Sequence, residues 1–392
     1  MFDSCEMRMD KRFLLLFHFF LSIFLLSCTK QEILYLSKDL SLFAFVVADN
    51  NLDDHTEYIE KDLVNGLKGC PVGTELFLYV DRQNEVPTLK HLFLSESGKV
   101  KYRIISKYDE QCSTSPQVFR DVLNTMINKS SGKRYGLIYW SHGNGWLPGF
   151  NPEKNSTTAT RALGADGIYS MDINDFGNIL VENKTPTFVV LDACYMGAVE
   201  VAYSLRNSTD YLIASSAETL GVCFPYHLIL SDLVCGSPES LSRSLDTYLD
   251  YCYSDYYGDG TISGIASLVD CSQMDSLALS YRSVIKLYPS VGNLEDIQVF
   301  EHIKPHQYYD FGDYVKSIAG GTPEFVEFER QLERTVINKV YTSSVYTESG
   351  GKDDMVTIDT YSGLSIYIYG SSPFNDIAYT GTEWYKDCYG KK

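Results

Sequence analysis

Short apolar runs, alternating with amphipathic helical repeats, constrain the fold more than any other feature of this sequence. Residues 41–48, 74–81, 136–140, 188–191 and 210–216 are dominated by β-branched, aliphatic and aromatic side chains. Runs of that length, bounded by Gly, Pro, Asn or Asp, are the pattern of buried strands. Helices are predicted between them, over 55–68, from Ser115-Pro116 through Met126, over 172–181 and over 199–205. A strand followed by a helix and another strand returns the chain to the same end of the sheet, so the strands run parallel. The expectation is an α/β fold: a three-layer α/β/α sandwich with a mostly parallel sheet and a C-terminal extension. Residues 89–94 and 101–105 alternate and predict a hairpin beside the sheet. Ser237-Pro238 predicts a capped helix, 261–269 a strand, 272–288 a helix, and 363–369 a late strand joining the sheet.

In an open α/β sheet, chemistry collects where the strands end. Two of the runs end in reactive side chains 52 residues apart. The first continues Tyr139-Trp140-Ser141-His142-Gly143-Asn144-Gly145-Trp146, the second Leu191-Asp192-Ala193-Cys194-Tyr195-Met196-Gly197. A thiol attacks a carbonyl as its thiolate, so a nucleophilic cysteine needs a base and an electropositive setting. Cys194 is expected just before a helix, whose N-terminus would lower its pKa. Gly143 lacks a side chain, so its backbone N–H can approach a substrate carbonyl. The N–H groups of Gly143 and Cys194 are the oxyanion-hole candidates.

At the N-terminus, Lys11 and Arg12 precede an apolar stretch, 13–26, that is short for a membrane span. It ends in Leu25-Leu26-Ser27-Cys28, which resembles a bacterial lipobox. That resemblance implies cleavage before Cys28 and a lipid on its thiol, hence a membrane-anchored protein of the bacterial cell envelope. The expected division is a lipoprotein signal peptide (1–27), an anchor linker (28–38), a catalytic core (39–260) and a C-terminal part (261–392) completing the sheet and covering helices. The net charge of −18 argues against nucleic acid as a partner. Eight cysteines follow Cys28 without C-x-x-C spacing, and are read as small buried hydrophobes. His302 and His306 flank Pro305, which argues against one helical face and against a metal site.

The segments Ser141-His142-Gly143-Asn144-Gly145-Trp146 and Asp192-Ala193-Cys194-Tyr195-Met196-Gly197, with Glu200, resemble the two signature blocks of the clostripain family. Ala48-Asp49-Asn50-Asn51-Leu52, Ala214-Ser215-Ser216-Ala217-Glu218, Phe224-Pro225-Tyr226, Phe311-Gly312-Asp313-Tyr314 and Ser362-Gly363-Leu364-Ser365-Ile366-Tyr367 are further matches. The resemblance implies a caspase-like fold, a His142/Cys194 dyad needing no carboxylate as third member, and cleavage of peptides or proteins after basic residues. It places Asp192 at the base of the S1 pocket. Two residues apart on extended backbone, Asp192 and Cys194 would point to the same side, and a carboxylate there pairs an Arg fork or a Lys. Unlike some relatives, Gly221-Val222-Cys223-Phe224-Pro225-Tyr226 carries no acid nearer than Glu218. The resemblance also suggests self-cleavage in the polar loop 150–165, where Lys154 and Arg161 are the basic residues. No cofactor is required, and calcium enters by family analogy alone. Two other functions fit the residues: a binding lipoprotein without turnover, and a transpeptidase using the same thioester.

Overall fold

The computed structural model describes residues 39–149, 160–221, 224–254, 261–348 and 355–390. The expected leader (1–27), the linker (28–38) with Cys28, and Lys154 and Cys223 lie outside the described residues. The first strands are β1 (Leu40–Ala48), β2 (Glu75–Arg82), β3 (Glu85–Leu94), β4 (Val100–Lys107), β5 (Arg134–Trp140), β6 (Gly143–Gly149), β7 (Thr160–Asp166) and β8 (Tyr169–Asp172). There follow β9 (Phe188–Asp192), β10 (Tyr211–Ala214), β11 (Ile265–Asp270), β12 (Tyr309–Asp310), β13 (Val336–Tyr341), β14 (Ser344–Tyr346), β15 (Met355–Thr357) and β16 (Ser365–Ile366).

Nine of these form the central sheet, in the order β13-β11-β10-β9-β5-β1-β2-β3-β4. The five in the middle, from β10 to β2, pair in parallel. Antiparallel strands extend it on both flanks, β3 and β4 on one side, β11 and β13 on the other. The mainly parallel α/β sheet expected from the strand–helix alternation is thus present. Its parallel strands are buried on both faces, as sheets covered by crossover helices must be.

The side-chain period of two splits each central strand between two cores. In β1, Phe43, Phe45 and Val47 enter one core with the helices Pro116–Lys129, Ile173–Asn183 and Met274–Leu287. Leu42, Ala44 and Val46 enter the other with the helices Asp53–Lys68, Tyr226–Leu233 and Pro238–Cys252. Those two cores are the outer layers of the sandwich. The helix at Pro238 starts with a capping box, Ser237 and Ser240 each bonding the other's backbone N–H. The outer edge strand β4 is mostly exposed and carries Lys101, Arg103 and Lys107, charges that discourage pairing with another sheet.

Two expectations are corrected. Residues 363–369 do not join the main sheet; only Ser365–Ile366 is strand, paired with β12 in a separate ladder. Its Ser365 N–H donates to Gly197 O (3.0 Å), which lays this segment behind the Cys194 turn. The stretch from Leu147 to Asp166 is not simply a loop, because β6, β7 and β8 form a small antiparallel sheet. Arg161 therefore lies on β7, opposite Pro148, rather than in an open loop.

Candidate active site

Register brings the two signature blocks together. Trp140 of β5 pairs with Asp192 of β9, so both strands leave the sheet at the same level. His142 and Cys194 each follow two residues later, on adjacent strand ends.

The stem of His142 is held from three sides. Ser141 Oγ donates to Val47 O (2.8 Å) and accepts from Ala165 N–H (3.1 Å), while Gly164 N–H donates to His142 O (2.9 Å). The imidazole Nε2 lies 2.6 Å from Asn51 Oδ1. An amide oxygen only accepts, so this contact fixes the Nε2–H tautomer and leaves Nδ1 as the basic nitrogen. Asn51 sits on a braced loop: Asn50 Nδ2 donates to Ala165 O (2.6 Å), and Leu52 N–H to Asn50 Oδ1 (2.8 Å). Asn51 is a partner of the candidate base that sequence reasoning missed. It stood in a quoted block, but nothing local indicated that its amide meets a histidine 91 residues later.

Cys194 occupies a tight turn. Tyr195 adopts φ 61°, a left-handed conformation rare for a bulky residue, and the surrounding contacts hold it there. Its ring stacks on Tyr308 with centroids 4.1 Å apart, its hydroxyl donates to Glu218 (2.8 Å), and its N–H donates to Ala217 O (3.0 Å). The Cys194 sulfur receives the Thr219 N–H at 3.3 Å and lies 3.6 Å from Thr219 Oγ1. Gly143 is required by this turn, since a Cβ there would come within 2.7 Å of Cys194 O.

Two sequence arguments about Cys194 fail on geometry. The next helix, Val199–Ser204, begins five residues beyond the cysteine, so no helix terminus abuts the thiol. Burial pushes the thiol pKa above its ordinary value; hydrogen bonds from Thr219 oppose this, and the charges of Glu218 and Asp192 add to it. The pleat argument linking Asp192 to Cys194 also fails, because β9 ends at Asp192 and the cysteine lies in the turn. Both residues nevertheless line one cleft. Asp192 is buried at its floor, with Oδ2 accepting from Tyr226 Oη–H (2.8 Å).

That cleft measures about 600 Å³ and is lined by Cys194, His142, Gly143, Asp192, Asn51, Thr219, Glu218 and, from the C-terminal part, Tyr346 and Glu348. Burial lowers the pKa of His142, and the charge of Glu348 acts in the opposite direction. The His142 and Cys194 shifts both favour the uncharged form of the group concerned. Among the described residues no group of three or more His, Cys, Asp or Glu is arranged to hold a metal ion. Asp53 of the acidic 49–54 segment is already bonded by Arg82 (3.1 Å).

The chain matches the family model described as the clostripain family over residues 44–387. It is 30% identical to clostripain of Hathewaya histolytica over 231 residues, 51% of this chain but only 43% of that relative. Among solved structures, a secreted C11 cysteine protease from Bacteroides thetaiotaomicron in complex with an irreversible peptide inhibitor superposes with a TM-score of 0.78. It is 27% identical and covers 89% of this chain and 98% of its own. An inactive zymogen C11 protease from Parabacteroides distasonis gives a TM-score of 0.76 at 28% identity, covering 89% and 98%. A clostripain from Bacteroides thetaiotaomicron in complex with the peptide inhibitor BTN-VLTK-AOMK gives 0.51 at 27% identity, covering 57% and 97%. A family match across most of the chain, on this sheet and around this His–Cys cleft, makes the protein a member of the clostripain family of C11 cysteine peptidases.

Proposed function

We propose that this chain is an envelope-located cysteine endopeptidase that cuts after Arg or Lys, with Cys194 as nucleophile and His142 as general base. One observation carries the reading: the register pair Trp140–Asp192 delivers both side chains to one cleft at adjacent strand ends. With Asn51 on Nε2–H, Nδ1 of His142 takes the thiol proton as sulfur bonds to the scissile carbonyl carbon. The N–H groups of Gly143 and Cys194 receive the oxyanion. Collapse breaks the C–N bond, and the imidazolium returns its proton to the departing amine. Water, deprotonated by the same imidazole, then hydrolyses the thioester and frees the thiol.

Asp192 at the cleft floor is the proposed partner of a basic P1 side chain, the residue before the cut bond. A relative accepts an inhibitor whose peptide, VLTK, ends in lysine, which supports this assignment. A secreted relative supports export, and lipidation of Cys28 would hold the chain at a membrane. A relative solved as an inactive zymogen supports a latent precursor here as well, with self-cleavage at Lys154 or Arg161 as the proposed activating step. The proposed catalytic core remains 39–260, with 261–392 completing the sheet and contributing Glu348 to the cleft.

The test assays the full chain in detergent on peptides varying only at P1 (Arg, Lys, Asp, Asn, Leu), beside Cys194→Ala. Turnover after Arg or Lys that Cys194→Ala abolishes is the expected result. Turnover led by another P1 removes the role of Asp192 and keeps the dyad. Aminolysis products that dominate hydrolysis when an amine acceptor is added would make the enzyme a transpeptidase. Silence on every peptide, including after limited tryptic nicking, would make it a binding protein.

A further inference from the structure

Glu348 reaches the cleft from far along the chain, 154 residues after Cys194. It follows β14 and the buried Thr347, and its position is set by a latch. The backbone N–H of Glu348 donates to Glu218 Oε2, and Thr347 Oγ1 lies 3.3 Å from Glu218 Oε1. Glu218 in turn receives the Tyr195 hydroxyl, so the latch closes onto the turn carrying the thiol. Three donors occupy the Glu218 carboxylate. The Glu348 residue, by contrast, is exposed on the cleft wall. It lines the same cleft as His142, Gly143 and Cys194, and its charge acts on His142, whereas that of Asp192 acts on the thiol. Among the described residues lining the cleft there is no Lys or Arg to neutralise it.

We infer that Glu348 is a second specificity-determining residue, selecting substrates with a Lys or Arg immediately beside P1, so that the preferred site is a pair of basic residues. The selection is distinct from that of Asp192: one carboxylate is buried at the floor, the other exposed on the wall, and each takes one cation. A pair formed at an exposed carboxylate is weak and screened by salt, so it discriminates among substrates without dominating binding. The inference rests on the peptidase reading of the cleft, and its test is arranged to separate the two.

Internally quenched peptides with the best P1 residue held constant are scanned at the two neighbouring positions, P2 and P1′, with Lys, Gln or Glu. For each enzyme the readout is kcat/KM for the Lys peptide divided by that for the Gln peptide, a ratio insensitive to the amount of folded protein. In the wild type this ratio exceeds unity at one neighbouring position. Glu348→Gln lowers it there by roughly threefold to fivefold, and Glu348→Lys reverses the preference toward Glu. The wild-type ratio also shrinks at high salt. Equal ratios in wild type and Glu348→Gln at both positions overturn the inference while leaving the P1 preference standing. Absence of turnover on every peptide removes the reaction being selected and overturns both readings.

Discussion

At the residue scale, the site is built from side chains whose ordinary behaviour its environment changes. Burial pushes the Cys194 thiol up and the His142 imidazole down, so each shift favours the neutral form. The activity profile follows directly. Protonation of His142 removes the base, and its lowered pKa places the acid limb of kcat/KM below about 6.5; the alkaline limit set by the thiol falls above about 8.5. Initial rates between pH 5 and 10 measure both limbs, and a bell centred below pH 6 would contradict the neutral pair. Asn51 acts through His142 by fixing its tautomer. Asn51→Ala is expected to lower kcat on the order of a hundredfold, with KM little changed, because a misaligned base slows the chemical step. The pH limbs are predicted to move with it, a shift that loss of fold alone does not produce.

At the element scale, the parallel pairing of β5 with β9 brings the two strand ends level, and a glycine makes that pairing fit. Gly136 faces Phe188 across the ladder, and a Cβ at 136 would lie 2.1 Å from the Phe188 ring. The ring is fully buried, in the core that the sheet shares with the helices Asp53–Lys68, Tyr226–Leu233 and Pro238–Cys252. Gly136→Ala is predicted to destabilise by about 1–3 kcal/mol through overpacking. Pairing it with Phe188→Leu should destabilise less than the sum of the two single changes, since the smaller side chain vacates the contact. Urea midpoints of the four proteins give the coupling directly. Additive losses would mean that the contact does not limit the register.

At the scale of the whole molecule, buried carboxylates set how the fold responds to pH. Burial raises Asp81, the Ser113 hydroxyl opposes this, and Asp166, Glu110 and Asp49 raise it further, to about 7. The folded state thus keeps a proton that the unfolded chain releases near its ordinary pKa of about 4. Stability from this group is greatest below about pH 4 and falls as pH rises toward 7. Glu75 behaves oppositely. Burial alone would raise it, but hydrogen bonds from His91, Ser41 and Ser131 outweigh that and hold it down at about 2. Its stabilisation is present above about pH 4.5 and is lost as pH falls toward 2. Asp81→Asn removes the alkaline penalty, so its stability relative to wild type should grow by roughly 2–4 kcal/mol between pH 4 and pH 8. Thermal unfolding at several pH values measures this, and a constant difference across that range would exclude an ionising Asp81.

The layers of the fold were legible in the sequence because their patterns are local: the apolar run 41–48 is buried on both faces, and the helical repeat of 55–68 buries the face it predicts. His142, Gly143 and Cys194 stood out as candidates for the same reason, at or just beyond the end of an apolar run, whereas Asp192 was singled out by the family resemblance. What no local pattern contained was the set of partners. Asn51 on the imidazole and Thr219 on the thiol are contacts between segments 91 and 25 residues apart, and Glu348 on the cleft wall stands 206 residues after His142. The short stretch 363–369 was misassigned because Leu364, Ile366, Tyr367 and Ile368 are buried in the core outside the main sheet, and burial there produces the same pattern as a sheet strand. The direction of the Cys194 shift was likewise settled by burial rather than by its neighbours in sequence. Propensity and periodicity act over a few residues and therefore determined the elements; desolvation and side-chain pairing act through space, so only the tertiary structure decided the chemistry of the cleft.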